Sequence, residues 1–234
     1  MPDFTQRSMA MEIMDDLSCK GEVVEQTLRE LDVINKWLGG DRVTLDGVAN
    51  LMKMIPLDQP VIIADLGCGS GELLAKILAF AKQQNRNVKL IGIDANPNII
   101  EYAKRHHPHD GFEFLTMDIF SAAFAAMQFD IVIGTLFFHH FSNPQITGFL
   151  QQVRKQVKVG IIVNDIHRHP FAYYSIKWLT AIFSKSAMVK FDAPLSVLRA
   201  FTRKDWDQII GETGLSYSLK WKWAFRWQLI IPAF

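Results

Sequence analysis

The sequence contains few cysteines, no excess of charge of either sign and no long apolar run. Cys19 and Cys68 are too few for a disulfide framework, which indicates a reducing compartment, the cytoplasm by default. The 25 Lys and Arg residues balance 24 Asp and Glu, so the chain lacks the basic charge of a dedicated nucleic-acid binder. The most apolar window, residues 122–141, includes Gln128 and Asp130, and charged residues also interrupt the first 16 positions. Neither a membrane-spanning helix nor a signal peptide is therefore expected.

Apolar side chains make up 49% of the 234 residues, enough to form the core of a globular protein. Residues 1–55 are predicted to form an N-terminal helical cap, because their apolar side chains recur at helical spacing and Gly39-Gly40 supplies a stop. No residue of this segment suggests chemistry. Residues 56–234 are predicted to form the main domain.

In the main domain, short apolar runs alternate with amphipathic helical segments. The runs predict buried parallel strands at Val61–Ala64, Val88–Ile93, Phe112–Leu115, Asp130–Gly134 and Gly160–Val163. Glu72–Gln84 has one apolar helical face, and Asn96 is expected to cap a helix that begins at Pro97. This alternation predicts an α/β fold with a doubly wound, mostly parallel sheet that binds ligands at the carboxyl ends of its strands. Residues 215–234 alternate between apolar and polar side chains, which predicts an antiparallel C-terminal hairpin.

A glycine-rich loop follows the first predicted strand and opens the first helix of the main domain. It reads Asp65-Leu66-Gly67-Cys68-Gly69-Ser70-Gly71 and is followed by Glu72. A dinucleotide-binding loop has Gly or Ala where Glu72 stands, and an acid in the first helical turn repels phosphate. A P-loop is excluded because no Gly-Lys-Ser/Thr follows. The loop therefore predicts a nucleotide-like ligand without strong negative charge, with Cys68 as a small residue in a tight turn and not a reactive thiol.

Acidic residues end the next two predicted strands. Asp94 lies 27 residues beyond Gly67, where a carboxylate can accept hydrogen bonds from both hydroxyls of a ribose. Asp118 ends the third strand and can accept from an adenine amino group, while Ile119 offers its N–H and an apolar wall. An adenosine without phosphate fits this set of groups.

These motifs resemble those of the class I methyltransferases that use S-adenosylmethionine. The glycine loop resembles their first motif, Asp94 their second-strand acid, Asp118 their adenine-contacting acid, and Gln128–Thr135 their fourth strand. The resemblance extends over about residues 60–234 and implies a Rossmann-like, seven-stranded sheet, with S-adenosyl-L-methionine as cofactor and S-adenosyl-L-homocysteine as product. The cofactor-binding residues that it implies are Asp65, Gly67, Cys68, Gly69, Gly71, Asp94, Ala95, Asp118, Ile119 and Thr135.

Histidines follow the fourth and fifth predicted strands, where the methyl acceptor is expected. His139 and His140 are candidate general bases, since an imidazole that titrates near neutrality can take a phenol or enol proton. The alternative is that they pack or form hydrogen bonds at the start of the next helix. Asp165 and His167, after the fifth strand, are the further catalytic candidates. Among the bases, His140 is the first choice and His167 the second.

Two absences restrict the chemistry further. Family members that act on nucleobase amino groups carry an Asn/Asp-Pro-Pro-aromatic run after the fourth strand, and this chain does not. Metal-dependent catechol-type members have an acid at the end of this strand, where the chain has Gly134-Thr135, so no metal ion is expected. His167 and His169 leave a zinc site open as an alternative, although no Cys or acid at suitable spacing completes a tetrahedral set.

An apolar segment follows the fifth strand, and a lid insertion is predicted at about residues 167–200. Phe171–Phe183 is apolar almost all round and too short to cross a bilayer, so its aromatic side chains are expected to line an acceptor pocket. Core packing or the contact face of a homodimer is the alternative. The basic aromatic tail at residues 220–227 is interpreted as a half-buried strand, with RNA binding as the alternative.

The insertion, Asp165 and Arg168 before it, and the ending Phe225-Arg226-Trp227 resemble those of small-molecule methyltransferases of quinone and polyketide pathways. We therefore expect a cytoplasmic, S-adenosylmethionine-dependent methyltransferase that acts on an oxygen, or alternatively a carbon, of a small apolar aromatic, quinol or polyketide-like acceptor. Nucleic acid is not an expected partner. An RNA or protein methyltransferase and a non-catalytic S-adenosylmethionine-binding protein are the alternatives left open.

Overall fold

A seven-stranded sheet forms the centre of the protein, as shown by a computed structural model that describes residues 2–233. The strands are β1 Val61–Leu66, β2 Val88–Asp94, β3 Phe112–Thr116, β4 Phe129–Thr135, β5 Val157–Ile166, β6 Ser218–Lys222 and β7 Arg226–Pro232. Their order across the sheet is β3-β2-β1-β4-β5-β7-β6. Met1 and Phe234, the outer limits of the predicted cap and hairpin, lie outside the described residues.

Strands β1 to β5 are parallel, and β7 pairs antiparallel with both β5 and β6. The chain moves outward from β1 to β3 and then crosses back to β4, so the direction of winding reverses between β1 and β4. In doubly wound sheets the ligand binds at this switch point, beyond the carboxyl ends of the strands. The predicted mostly parallel sheet with an antiparallel C-terminal hairpin is confirmed.

Helices cover both faces of the sheet. They are α1 Glu22–Trp37, α2 Gly40–Met52, α3 Glu72–Gln83, α4 Pro97–His106, α5 Ala122–Ala125, α6 Asn143–Val153, α7 Pro170–Phe183, α8 Ala187–Arg199 and α9 Arg203–Gly211, with short 3-10 helices at Ile13–Asp15 and Phe138–His140. Asn96 accepts the Asn98 N–H and caps α4, as predicted. Ile131 and Val132, neighbours on β4, belong to apolar clusters on opposite faces, because side chains alternate along a strand.

Two segments outside the sheet meet above its carboxyl edge. The predicted insertion is the helix pair α7 and α8, and residues 2–21 run beside it as mostly irregular backbone. The Ser8 N–H donates to the Leu198 carbonyl at 2.9 Å, and the Ile13 N–H donates to the Asp192 carboxylate at 2.8 Å. Within the predicted N-terminal cap, the α-helices are α1 and α2, and residues 2–21 contact the insertion instead. The expected domain boundary near residue 55 remains a prediction.

The C-terminal hairpin differs from the half-buried strand expected from its alternating pattern. Strand β7 lies between β5 and β6, and its polar side chains Arg226 and Gln228 are buried with its apolar ones. The Gln228 amide donates to the Val43 carbonyl of α2 at 2.6 Å, and the Arg226 guanidinium donates to Asn35 Oδ1 of α1 at 2.9 Å. The N-terminal helices thus cover the face that the pattern assigned to solvent.

Among residues 2–233, none of the helices combines the length and the hydropathy that crossing a bilayer requires.

Candidate active site

A cavity of about 970 Å³ lies at the carboxyl edge of β1, β2 and β4. The glycine loop and the ends of these strands form its floor. Residues 7–17, α1, α7 and α8 form its walls and roof. Its volume is at the upper end of the range for ligand pockets, roughly 300–1,000 Å³. The cavity therefore has room for a nucleoside-sized ligand and a second small molecule together.

The glycine loop follows β1 in a conformation that ordinary side chains rarely adopt. Gly67, Gly69 and Gly71 have φ values of +65°, +53° and +81°. A Cβ atom at Gly67 would lie 2.3 Å from Cδ2 of Phe137, inside the hydrophobic wall of the cavity. The backbone can therefore take this path only with glycine at position 67. Burial raises the pKa of the intervening Cys68 thiol, which supports its interpretation as a small packing residue.

Three carboxylates that the sequence predicted lie on the floor of the cavity. Asp65 is fully buried, and burial together with the neighbouring charge of Asp94 raises the pKa of its carboxyl well above the usual range. Burial also raises the pKa of Asp94, whose Oδ1 accepts the Asn96 N–H at 2.9 Å. Asp118 is exposed and accepts the Phe120 N–H at 2.9 Å. Because these three ionisable groups of the floor are all carboxyls, the floor suits a cationic or neutral ligand better than a phosphate.

The structure brings together nearly all of the predicted cofactor-binding residues. The cavity is lined by Asp65, Gly67, Cys68, Gly69, Asp94, Ala95, Asp118, Ile119 and Thr135, whereas Gly71 turns into the start of α3. The sequence interpretation missed Asp32 of α1, which also lines the cavity and accepts a hydrogen bond from the Ser70 hydroxyl at 2.9 Å. Burial raises the pKa of Asp32 to about 6. Helix α1 thus supplies a wall to the predicted ligand site.

His139 is buried beside Asp165, at the junction of β4 and β5. Its Nδ1 lies 2.8 Å from Asp165 Oδ1, and its backbone N–H donates to Oδ2 of the same carboxylate. His139 and the hydrogen bonds around Asp165 hold the pKa of Asp165 below its usual value in spite of complete burial. An ionised Asp165 accepts the proton on Nδ1, so it fixes the tautomer and the orientation of the ring. These contacts fix the His139 ring against the Asp165 carboxylate.

His140 lies at the cavity wall, and its partner comes from the N-terminal segment. Its Nδ1 is 2.6 Å from Oδ1 of Asp15. Hydrogen bonds from His140 and Arg199 hold the pKa of Asp15 below its usual value, so this carboxylate is ionised and accepts the Nδ1 proton. In the neutral ring, Nε2 then carries the lone pair. Within the described part of the chain, no hydrogen bond occupies this Nε2.

Two arginines hold the N-terminal segment and the histidines together. Arg199, the last residue of α8, donates to Asp15 Oδ2 at 2.5 Å and to the carbonyl oxygens of His139 and His140 at 3.2 and 2.9 Å. Arg7 donates to the His139 carbonyl at 3.1 Å, and burial lowers its pKa to about 10. Residues 1–55, in which the sequence shows no chemistry, thus contribute Arg7, Glu12 and Asp15 to the lining of the cavity. The only available signal in the sequence was the charge pattern of residues 12–16, which does not identify its partners.

The structure places His167 and His169 away from the cavity lining. The His167 N–H donates to the Phe225 carbonyl at 2.8 Å, which holds this residue against the C-terminal hairpin. The Trp221 indole N–H donates to His167 Nδ1 at 3.2 Å, so the basic nitrogen of the neutral ring is already engaged. Burial lowers the pKa of His167 to about 4. His169 Nδ1 accepts the Phe171 N–H and caps α7. Nδ1 of His167 and Nδ1 of His169 are therefore both engaged outside the cavity.

Glu12, His139 and His140 form a group that could offer one ligand atom each to a metal ion, with these atoms within 4.8 Å of one another. The carboxylate of this group already has partners within the protein. The Arg199 guanidinium lies 3.8 Å from Glu12 Oε1, and the Ser196 hydroxyl donates to the same oxygen at 2.9 Å. A fixed cation at this distance disfavours a second cation by charge repulsion. Metal independence, expected from the sequence, stays a prediction.

The roof of the cavity is apolar. Residues 7–17 contribute methionine side chains, and α7 and α8 contribute one face each: Met9, Met11, Met14, Phe171, Ala172, Ile176, Leu179, Val189 and Val197. The sequence predicted that the aromatic side chains of α7 line the pocket, but only some of them do. Helical geometry directs one stripe of α7 inward and another outward. The cavity combines an acidic floor, a histidine wall and an apolar roof.

Residues 63–160 match a family model described as a methyltransferase domain. The match includes the glycine loop, Asp94, Asp118 and both histidines of the cavity wall. The predicted methyltransferase domain is confirmed over these residues.

Solved structures of low sequence identity have the same fold. The plantazolicin methyltransferase BpumL, in complex with a triazolic desmethylPZN analog and SAH, is 18% identical; the match covers 82% of this chain and 84% of that chain, with a TM-score of 0.63. Human N-acetylserotonin methyltransferase in complex with SAM is 18% identical, with 92% and 56% of the two chains covered and a TM-score of 0.63. The CMeT domain of the citrinin polyketide synthase is 14% identical, with 80% and 50% covered and a TM-score of 0.59. Two of these neighbours hold SAH or SAM, the product and cofactor expected here from the sequence.

Proposed function

The chain carries a methyltransferase domain on a class I fold, and from this we propose that it transfers a methyl group from S-adenosylmethionine to an oxygen atom of a small apolar acceptor. The neighbours above include methyltransferases named for plantazolicin and for N-acetylserotonin, and a domain of a polyketide synthase. Their range supports an acceptor smaller than a folded macromolecule.

The floor of the cavity fits the cofactor. The glycine loop lets the backbone approach the ligand closely, Asp94 offers carboxylate oxygens to ribose hydroxyls, and Asp118 with Ile119 lies where the adenine is expected. When bound, S-adenosylmethionine supplies an electrophilic methyl group on a sulfonium and leaves as S-adenosylhomocysteine. The acidic floor suits this cationic cofactor, whereas it would repel a pyrophosphate.

The observation that carries oxygen methylation is the His140–Asp15 pair on the wall of the same cavity. An acceptor hydroxyl must lose its proton around the time that its oxygen bonds to the methyl carbon. Nε2 of His140 takes this proton, and the ionised Asp15 stabilises the imidazolium that results. His139, Asp165 and Arg199 hold the base in place through the contacts described above.

The apolar roof supports an acceptor with an apolar body. Methionine side chains are unbranched and adaptable, so Met9, Met11 and Met14 can pack against rings or chains of different shapes. Closure of residues 7–17 over the cavity also excludes water from the reacting groups. Holding the two reactants in line is worth several kcal/mol of the barrier without further chemistry.

Incubation with methyl-labelled S-adenosylmethionine and a panel of phenols, quinols and cell extracts tests this proposal. We expect label in an ether, stable to alkali, on an apolar acceptor. His140→Gln should lower turnover by ~10²–10⁴-fold and leave cofactor affinity unchanged. His106→Gln, on an exposed histidine of α4, is the matched control. Label on a carbon atom, or a His140→Gln enzyme with turnover within about threefold of wild type, well below the effect of a general base, contradicts the proposal.

A further inference from the structure

Helix α7 has an outward-facing apolar stripe. Phe171 at its start also lines the cavity, but the rest of the stripe is not used by the proposed reaction. Phe171, Tyr174, Trp178 and Ile182 occupy positions i, i+3, i+7 and i+11, so they lie along one side of the helix. All four are exposed; for example, 72% of the Trp178 surface is accessible. The adjoining stripe of the same helix lines the cavity. The helix is therefore apolar on two adjacent sides, of which only one is covered.

The apolar surface continues from α7 onto the tip of the C-terminal hairpin. The Phe171 ring lies 5.8 Å from the Phe225 ring, which in turn lies about 6 Å from the rings of Trp221 and Trp223. Trp223 is 72% exposed and also lines the cavity. We define the aromatic rim as Phe171, Tyr174, Trp178, Ile182, Trp221 and Trp223. An exposed group of this size and composition indicates an interaction surface.

The sequence segments that form the aromatic rim carry charge of one sign, although Asp46 of α2 lies 3.9 Å from Lys222. The two segments that form it, residues 166–191 and 215–234, contain seven Lys and Arg residues and no Asp or Glu. The remainder of the chain has 18 Lys and Arg against 24 Asp and Glu. Lys177, Lys185, Lys190 and Lys220 are exposed. Arg168 and Arg226 of these segments are buried, so the exposed lysines are what a membrane or partner would meet beside the aromatic side chains.

We propose that the aromatic rim binds the surface of an anionic lipid bilayer. Trp, Tyr and Phe side chains insert at the boundary of headgroups and acyl chains, and lysines beside them are attracted to anionic headgroups. A second copy of the chain is a poorer occupant, because a symmetric contact would bring two positively charged surfaces together. The membrane-facing rim borders the cavity, so an apolar acceptor dissolved in the bilayer would enter without crossing water.

Sedimentation with lipid vesicles tests this surface without cofactor or acceptor, so the result does not depend on the proposed function. We expect the protein to bind vesicles of phosphatidylcholine mixed with phosphatidylglycerol at least about tenfold more tightly than pure phosphatidylcholine vesicles, with binding weakened by salt. Trp178→Ser and Ile182→Ser should each weaken binding by about tenfold. The control is Leu57→Ser, which removes a 75% exposed leucine between α2 and β1, away from the rim.

Two charge-reversal variants complete the test. Lys177→Glu should weaken binding to the anionic vesicles, whereas Lys53→Glu, on an exposed lysine at the end of α2, should not. Melting temperatures and the response to S-adenosylhomocysteine verify that each variant is folded. Absence of vesicle binding, or equal binding by Trp178→Ser and Leu57→Ser, overturns the proposal. Sedimentation without vesicles measures the oligomeric state. If wild type is a dimer and Trp178→Ser is a monomer, the proposal is overturned, and the aromatic rim binds a second copy of the chain.

Discussion

Nδ1 of His140 lies 2.6 Å from Oδ1 of Asp15, a residue 125 positions earlier in the chain. The contact joins the wall of the cavity to residues 7–17, which lie above it. Arg199 donates to the same aspartate from the end of α8, so three separate parts of the chain meet at this carboxylate. Loss of the carboxylate would disturb the orientation of His140, the proposed base, and the contacts of residues 7–17 above the cavity.

We expect Asp15→Asn to lower turnover by at least about tenfold and to leave affinity for S-adenosylhomocysteine unchanged. An amide oxygen can still accept the Nδ1 proton, but it lacks the charge that stabilises an imidazolium. Turnover across pH with a saturating acceptor is the measurement. Asp16→Asn, on the exposed neighbouring aspartate, is the control. If both variants behave alike, Asp15 does not orient the base.

The second prediction concerns Asp94. In wild type, S-adenosylmethionine and S-adenosylhomocysteine should raise the melting temperature, because a ligand that binds only the folded state stabilises it. Asp94→Ala should lose most of this shift, since it removes the acceptor of the ribose hydroxyls. Asp58→Ala, on an exposed residue at the opposite edge of the sheet, should keep it. A strong response to NAD with none to either adenosyl ligand would refute the cofactor assignment.

Two glycines should respond in opposite ways to alanine. Gly67→Ala places a Cβ atom 2.3 Å from Phe137 and requires a φ of +65°, so it should abolish binding of S-adenosylhomocysteine and lower stability by roughly 1–3 kcal/mol or more. Gly148, inside α6, has nothing within 4 Å of such a Cβ. Gly148→Ala should therefore raise stability by roughly 0.5–1 kcal/mol. Chemical denaturation of both variants measures the difference.

Glu12 should make stability depend on pH. Burial raises its pKa from 4.5 to about 7, so between these values the folded protein retains a proton that the unfolded chain releases. Its contribution to the free energy of unfolding therefore falls as pH rises through this window. Glu12→Gln removes this pH dependence. Its free energy of unfolding minus that of wild type should therefore increase by a few kcal/mol from pH 5 to pH 8. Denaturation curves for both proteins at the two pH values measure this, and a constant difference would show that Glu12 titrates normally.

Chelation provides the last prediction. The end of β4 lacks an acid, and the Arg199 guanidinium lies 3.8 Å from Glu12, the carboxylate of the possible metal-binding group. Turnover should therefore survive EDTA at full rate. If EDTA abolishes turnover and a divalent ion restores it, then Glu12, His139 and His140 hold a metal, and His140 is not a free base.

The floor of the cavity could be predicted because its residues follow local rules. Acids and glycines at the ends of consecutive parallel strands must meet at one edge of the sheet, so Asp65, Asp94 and Asp118 could be placed together from their spacing alone. The backbone of the loop is likewise determined locally, since left-handed positions select glycine. The five parallel strands and the antiparallel hairpin follow from apolar periodicity in the same way, and the resemblance to the methyltransferase family supplied the count of seven strands and the cofactor.

The wall and roof depended on contacts between distant segments. Nothing in the pattern around Asp15 indicates that it reaches His140, and nothing near His167 indicates that the hairpin engages its basic nitrogen. The alternation in β7 indicated a solvated face, but the sheet order placed that strand in the interior, where α1 and α2 cover Arg226 and Gln228. The sequence by itself therefore determined the sheet and the cofactor floor, because strand periodicity and turn conformation are local properties. The tertiary structure alone decided which histidine has a free nitrogen and a carboxylate partner, because that depends on how segments more than a hundred residues apart pack together.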